Sequence, residues 1–253
     1  MATPDPRLPV FYREVVALSR ERHKDWYIDP EQGYSFAAGS NSVYVAASEF
    51  VVAGRELPIV FARDGAGGLA PAVLLGLRAN ENLVVDADGR WQTGYIPAYV
   101  RRYPFILATA ADGGDQLTVC IDEAYSGFNT AREGQPLIAK DGEHGELLSN
   151  SVNFLRDFHQ HTLITREFCD AVDKAGLLEP MQANVAMNSG EKFSLSGLHC
   201  VTRARLKALE AATVKQFLDK DYLELIYLHM HSLANLDKLV QRVAERAAPT
   251  TAQ

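Results

Sequence analysis

Three tyrosines and two adjacent arginines lie close together near the middle of the chain, and they are the side chains best suited to bind a ligand. They are Tyr95, Tyr99, Arg101, Arg102 and Tyr103. A guanidinium group can stack on an aromatic ring, and its fixed fork of N–H donors matches a carboxylate. The cluster therefore predicts a binding site for an anionic ligand or partner.

The same cluster also allows a structural role, which we favour because structural ion pairs are common. One arginine would then be buried against an acid such as Asp122 or Glu123 and would attach the segment to a sheet. The other arginine would reach the surface and stay available to an anionic partner. Loss of a buried arginine would strand its carboxylate and cost ~3–5 kcal/mol.

Two prolines should shape the segment that carries this cluster. Pro97 and Pro104 limit any helix between them to one or two turns, because proline interrupts helical hydrogen bonding and restricts the residue before it. We expect a short helix from Ala98 to Tyr103 and a strand that starts at Phe105. Residues 95–105 are called the corner below.

Histidines offer an alternative, metal-assisted chemistry. His159 and His161 form one H-x-H pair, and His229 and His231 form another. Both pairs fall in predicted helices, where residues i and i+2 point in nearly opposite directions and cannot share one metal. His159 and His229 could still converge on one ion with a carboxylate such as Asp157. This alternative would make the protein an enzyme, whereas the main hypothesis is that it is not one.

The other motifs do not form a catalytic set. The turn at Asp86 lacks the twelfth-position carboxylate of a calcium loop, because Pro97 stands there. The glycines at 65–68 lack the Lys-Ser/Thr of a phosphate loop. Asp122 and Glu123 are neighbours on a predicted strand and point to opposite faces. We therefore predict no cofactor.

Composition limits the partners and the compartment. The 253-residue chain has a net charge of −7, which disfavours nucleic acid as a partner. It contains no apolar run of ~18 residues that could span a membrane. The start of the chain lacks the pattern of a signal peptide, so we expect a cytoplasmic protein whose surface association would need a non-Sec route. Cys120, Cys169 and Cys200 should be reduced and mostly buried.

The hydrophobic pattern predicts an α+β fold. Between residues 34 and 123, short apolar runs alternate with turns, which indicates an antiparallel meander because the connections are too short for parallel crossovers. Apolar residues then recur every three or four positions, which predicts a mostly helical region. We divide the chain into a β-rich region (1–125), a polar connection (126–145) and a helical region (146–253). Expected elements include strands at 34–38 and 83–85, a hairpin turn at 112–115, and one helix over 222–246.

Several sequence blocks resemble the bacterial SapC family. They are IPAYVRRYPFIL at 96–107, VCIDE at 119–123, ENLVVDADGRW at 81–91, LLGLR at 74–78 and LIYLHMHSL at 225–233. The resemblance covers nearly the whole chain but supplies no catalytic residues. It implies a non-enzymatic binding or accessory protein linked to bacterial surface-layer or outer-membrane uptake functions. The partner would be a small molecule or a protein, and a homo-oligomer is compatible with the sequence.

Overall fold

The computed structural model describes residues 8–63, 67–109, 117–186 and 192–247. The strands are β1 (Val15–Ala17), β2 (Tyr27–Ile28), β3 (Ser42–Tyr44), β4 (Ile59–Arg63), β5 (Leu69–Leu74), β6 (Phe105–Thr109), β7 (Leu117–Asp122), β8 (Phe128–Asn129), β9 (Gln135–Pro136), β10 (Leu178–Ala186) and β11 (Lys192–Val201). The helices are α1 (Phe50–Ala53), α2 (Ala98–Arg101), α3 (Glu146–Lys174), α4 (Arg203–Lys207), α5 (Ala211–Asp219), α6 (Tyr222–Ser232) and α7 (Leu236–Ala247). The predicted α+β class is confirmed.

The largest sheet combines strands from both halves of the chain. Its order is β10-β11-β4-β5-β3, and every neighbouring pair is antiparallel. The β10–β11 hairpin joins the sheet where Leu198 and His199 pair with Ala62 and Phe61. The mostly helical region therefore shares a sheet with the β-rich region. The division at 126–145 stays a prediction.

Two smaller sheets carry the rest of the β structure. One has the order β1-β7-β6, and the other has the order β8-β2-β9. In the first, Phe105 of β6 pairs with Ile121 of β7, directly after the corner. The hairpin turn predicted at 112–115 lies outside the described residues. Residues 64–66 of the glycine-rich turn lie outside them as well.

Helix α3 is the longest element, with 29 residues, and it forms the wall next to the corner. Its buried residues follow the predicted spacing: Leu148, Val152, Leu155, Phe158, Thr165, Phe168, Cys169 and Val172. Each large apolar side chain removed from water contributes ~1.5–3 kcal/mol. The hydroxyl of Thr165 also accepts a 2.9 Å hydrogen bond from the Ala47 amide, which fixes the helix against the turn before α1.

Three expected elements were wrong, and in each case long-range hydrogen bonds accompany the difference. Residues 35–37 form a 3-10 turn instead of a strand, and the Asn82 side chain donates to the Ala37 carbonyl. Residues 83–85 form only an isolated bridge, between Val85 and Trp91, and the Arg246 side chain donates to the Val85 carbonyl at 2.8 Å. The C-terminal helix divides at residues 233–235, where Asn235 donates to the Gly54 carbonyl at 2.8 Å.

The corner connects two hydrophobic cores. Ala98, Tyr99 and Val100 belong to the main core, which also contains the inner faces of the large sheet and of α3. Phe105 belongs to a second core, built around Ile121 of β7 and the first turns of α3. The position of the corner is therefore set from both sides, which is what a site with defined geometry requires.

Candidate functional site

The corner turns sharply between the two cores. Helix α2 is a single turn that follows Pro97, and the Arg102 amide donates to the Ala98 carbonyl at its end. A cis peptide bond joins Tyr103 to Pro104, and β6 starts at Phe105. The predicted helical corner is therefore present, although it is shorter than expected.

A buried carboxylate holds the start of α2. Glu49 is 5% exposed, and its Oε1 accepts hydrogen bonds from the Ala98 amide at 2.7 Å and from the Tyr95 hydroxyl at 2.8 Å. Its Oε2 accepts from the Ala46 amide at 2.9 Å. Burial, followed by the charge of Glu49, raises the pKa of Tyr95 to about 12. Sequence reasoning missed this residue, because an isolated glutamate has no local pattern that marks it as buried.

A second buried carboxylate holds the end of the corner. Asp122 is fully buried and accepts hydrogen bonds from the backbone amides of Arg13, Glu14 and Ala124, at 3.0, 2.9 and 3.2 Å. The Tyr103 hydroxyl donates to the same carboxylate at 3.1 Å. Burial, together with the negative charge of Asp122, raises the pKa of Tyr103. The corner is thus joined to the N-terminal segment through one aspartate.

The predicted pairing of an arginine with Asp122 or Glu123 was wrong. Asp122 is surrounded by amides and a phenol, as described above, and Glu123 is bonded to Arg22 and to His23. Neither Arg101 nor Arg102 forms an ion pair with any carboxylate of the described residues. The physical reason is that both acids already have other partners, which are amides and a phenol for Asp122 and two basic side chains for Glu123.

Arg102 lies among aromatic rings. Its guanidinium carbon is 4.1 Å from the ring centroid of Tyr99, 5.1 Å from that of Phe158 and 5.6 Å from that of Tyr12. Its Nε is buried and has no hydrogen-bond partner. The guanidinium group of Arg102 is therefore surrounded by aromatic residues, and its Nε donor is unused.

Arg101 is the more exposed of the two arginines. Its Nε donates to the Ile96 carbonyl at 3.0 Å, and its Nη2 donates to the Tyr95 hydroxyl at 3.4 Å. The guanidinium carbon also lies 4.9 Å from the ring centroid of Phe154 on α3. As expected, one arginine is more exposed than the other. The acid partner that was expected to hold the less exposed arginine is not found among the described residues.

Both arginines line an open cleft of about 540 Å³ between α2 and the start of α3. We call it the arginine cleft. The remaining lining residues are Pro30, Gln135, Glu146, Leu147, Asn150, Ser151 and Phe154. The cleft is large enough for a small ligand, since small-molecule sites usually occupy ~300–1,000 Å³. Of the predicted ligand-binding residues, the structure thus places Arg101 and Arg102 here, whereas Tyr95 and Tyr99 orient or support them.

A second cavity of about 450 Å³ adjoins the arginine cleft and is bounded in part by aromatic rings. We call it the aromatic cavity. Its aromatic residues are Tyr34, Phe36, Tyr103, Phe105 and Tyr125. Pro30, Arg101, Leu147 and Ser151 line both spaces. Tyr103, the fifth predicted ligand-binding residue, therefore belongs to the second cavity.

The first turn of α3 adds to the electrostatics of the arginine cleft. Helix N-termini carry a partial positive charge, because their first amides have no partner inside the helix. Glu146 and Leu147 of that turn line the cleft together with the two arginines, and the Glu146 carboxylate forms no ion pair with either of them.

One protein-family model matches nearly the whole chain. The SapC family model matches residues 18–239, which includes the corner, both cavities and most of the helices. The chain belongs to the SapC family. No curated protein and no solved structure matches this SapC-family chain. Within the described part of the chain, no helix has the length and apolar character needed to cross a membrane.

His229, one of the two histidines of the alternative metal site in this SapC protein, has both ring nitrogens engaged in hydrogen bonds. His229 is fully buried, its Nδ1 donates to the Ile59 carbonyl at 2.8 Å, and its Nε2 accepts from the Val201 amide at 3.0 Å. Burial lowers the pKa of His229 to about 4, so the ring is neutral. Neither nitrogen is available to a metal shared with His159. Over the described ranges, no three His, Cys, Asp or Glu residues are placed to hold one.

The cysteines are free, as predicted. Cys120 and Cys169 are buried, and Cys200 is half-buried. Burial raises the pKa of all three thiols, that of Cys169 to about 12. A raised pKa keeps a thiol protonated and poorly nucleophilic near neutral pH. None of them lines the arginine cleft or the aromatic cavity.

Proposed function

We propose that this SapC-family protein is a non-enzymatic binding protein that takes an anionic ligand in the arginine cleft. It would act as an accessory to bacterial surface-layer or outer-membrane uptake functions, which the family resemblance implies. The ligand would be a small molecule or an anionic group presented by a protein partner. The observation that carries the proposal is the pair of arginines that face a cleft without a carboxylate partner.

The electrostatic situation of these arginines supports binding. A guanidinium group that is partly removed from water normally has an anion close to it, because desolvation of an unpaired charge is costly. Arg102 has aromatic neighbours and an unused donor, and Arg101 donates only to neutral oxygens. An incoming carboxylate or phosphate would supply the missing negative charge. The positive end of α3 would add to the attraction.

The rigidity of the site supports the same function. Glu49 fixes the start of α2 and Asp122 fixes the residue after Arg102, so the corner is held at both ends. Two buried cores also fix its position. A site that is formed before the ligand arrives loses less entropy on binding.

The test is a titration followed by amide NMR. Inorganic phosphate and acetate are added separately to isotope-labelled protein, and saturable shifts are expected at Arg101, Arg102 and Leu147. Arg101→Met should weaken binding by ~10-fold or more, because hydrogen bonds to charged groups contribute ~1.5–3 kcal/mol. Added salt should weaken binding, since the site is open to solvent.

Arg156→Met provides the matched control. Arg156 is an exposed arginine on the same helix α3 and lines neither cavity. The control should leave anion binding unchanged. Absence of saturable shifts at the corner with both anions would overturn the proposal, and so would equal losses in the Arg101 and Arg156 variants.

A further inference from the structure

The aromatic cavity has no role in the binding of a bare anion, yet it opens beside the arginine cleft. Four residues line both spaces, and one of them is Arg101. We infer that the two spaces take one amphipathic anion, in which a carboxylate or similar group is attached to a flat apolar ring system. This inference rests on the proposed function and specifies the class of ligand.

Five aromatic residues line the aromatic cavity, and polar side chains such as Glu31 and Ser151 line it as well. The hydroxyl of Tyr103 is engaged by Asp122, and the hydroxyl of Tyr125 points to the Asp29 carbonyl at 3.5 Å. The rings of Tyr103 and Phe36 have centroids 4.3 Å apart, and Tyr125 meets Tyr103 edge-on at 5.4 Å. Such walls favour contact with a flat apolar body, since aromatic rings pack through offset faces and edges.

The position of Arg101 defines how the ligand would be oriented. Its guanidinium lies at the boundary of the two spaces and is held by Ile96 and Tyr95 on the corner side. An anionic group bound there has Arg102 on its cleft side, while the attached body can enter the aromatic cavity. The volume of about 450 Å³ lies within the ~300–1,000 Å³ of small-molecule sites, and it limits the body to a few rings.

The experiment compares four probes by calorimetry on the intact chain. Acetate, benzoate and naphthoate share a carboxylate and differ in ring area, and naphthamide keeps the ring system without the charge. Affinity should rise by ~10-fold or more from acetate to benzoate and again to naphthoate, because each ring buries apolar area. Naphthamide should bind at least ~10-fold more weakly than naphthoate, because it lacks the charge-assisted hydrogen bonds.

Variants assign the two parts of the ligand to the two spaces. Tyr34 lines only the aromatic cavity, so Tyr34→Ala should reduce naphthoate affinity by ~10-fold and leave acetate unchanged. Tyr34→Leu, which retains apolar bulk without a ring, replaces it if the alanine variant does not fold. Arg101→Met should weaken both probes. Tyr227→Ala, at an exposed tyrosine on α6, should weaken neither.

The outcomes separate this inference from the proposed function. If naphthoate binds no better than acetate, or if naphthamide equals naphthoate, the amphipathic ligand is refuted. In the first case, anion binding at the arginine cleft would still stand. Failure of every anion to bind would refute both proposals. Equal effects of the Tyr34 and Tyr227 variants would show that the aromatic cavity is not the site of the ring.

Discussion

Replacement of Arg102 by methionine tests whether this arginine stabilises the fold or is held for a ligand. Methionine keeps an unbranched apolar stem of similar reach, so the packing of the stem against its neighbours is largely preserved. The change removes the charge, the contacts of the guanidinium with three rings and the buried Nε. The ring contacts stabilise the folded protein, whereas the buried Nε without a partner destabilises it.

The two contributions can be compared from the structure. The contact of 4.1 Å with Tyr99, supported by two longer ones, is worth up to ~2 kcal/mol for a partly desolvated cation. The buried Nε without a partner costs ~1–3 kcal/mol, and methionine removes that cost. The net change in the free energy of unfolding should therefore lie within about 1 kcal/mol of zero. A buried arginine with an acid partner would instead cost ~3–5 kcal/mol.

Urea unfolding and thermal melts measure the difference. For a chain of this length, 1 kcal/mol corresponds to a shift of ~2–4 °C in the melting temperature. Arg101→Met should also shift the melt by no more than this, because Arg101 is exposed and donates to neutral groups. A loss of 3 kcal/mol or more in the Arg102 variant would refute the reasoning and would indicate a structural anion partner.

Further predictions concern the buried polar groups. Asp122→Ala should lower the free energy of unfolding by ~4 kcal/mol or more, because it strands four donors, whereas Tyr103→Phe should cost about 2 kcal/mol in urea unfolding. Equal losses would contradict this. Since the pKa of His229 falls from 6.5 to about 4 on folding, its contribution of about 3 kcal/mol is present above pH 6.5 and is lost as the pH falls towards 4. His229→Gln should flatten that part of the stability profile. A thiol reagent should react little with the native protein and with three thiols after denaturation, and a silent denatured sample would refute the free-cysteine assignment.

Local patterns were sufficient for much of the fold. The stripe from Leu148 to Val172 predicted α3, because a helix that packs on a sheet needs an apolar face along its whole length. A local cap starts α4, because the Thr202 hydroxyl accepts a hydrogen bond from the Arg205 amide. Pro97 and Pro104 predicted the short helix of the corner for the same kind of reason. In each case the relevant interactions lie within a few residues of each other.

Long-range hydrogen bonds explain what sequence reasoning missed. The Asn82 side chain fixes the 3-10 turn at 35–37. The Ser232 hydroxyl accepts a hydrogen bond from the Ile59 amide, which fixes the end of α6. The walls of the aromatic cavity are drawn from the 30–36 segment, the corner, Tyr125 and α3. These segments are far apart in the sequence and share no pattern. The cavity forms only when the segments pack together in the folded protein.

The hydrogen bonding of Glu49 and Asp122 was also missed by sequence reasoning. Carboxylates near an arginine pair suggest ion pairs, yet an acid can also be satisfied by backbone amides, which are equally strong partners when several converge. Glu49 and Asp122 both accept hydrogen bonds from backbone amides, and each also accepts one from a tyrosine hydroxyl of the corner. The corner is therefore held rigid by negative groups that do not neutralise Arg101 or Arg102. Within the described residues, neither Arg101 nor Arg102 forms an ion pair with a carboxylate, and this is the observation on which the proposal of an anionic ligand rests.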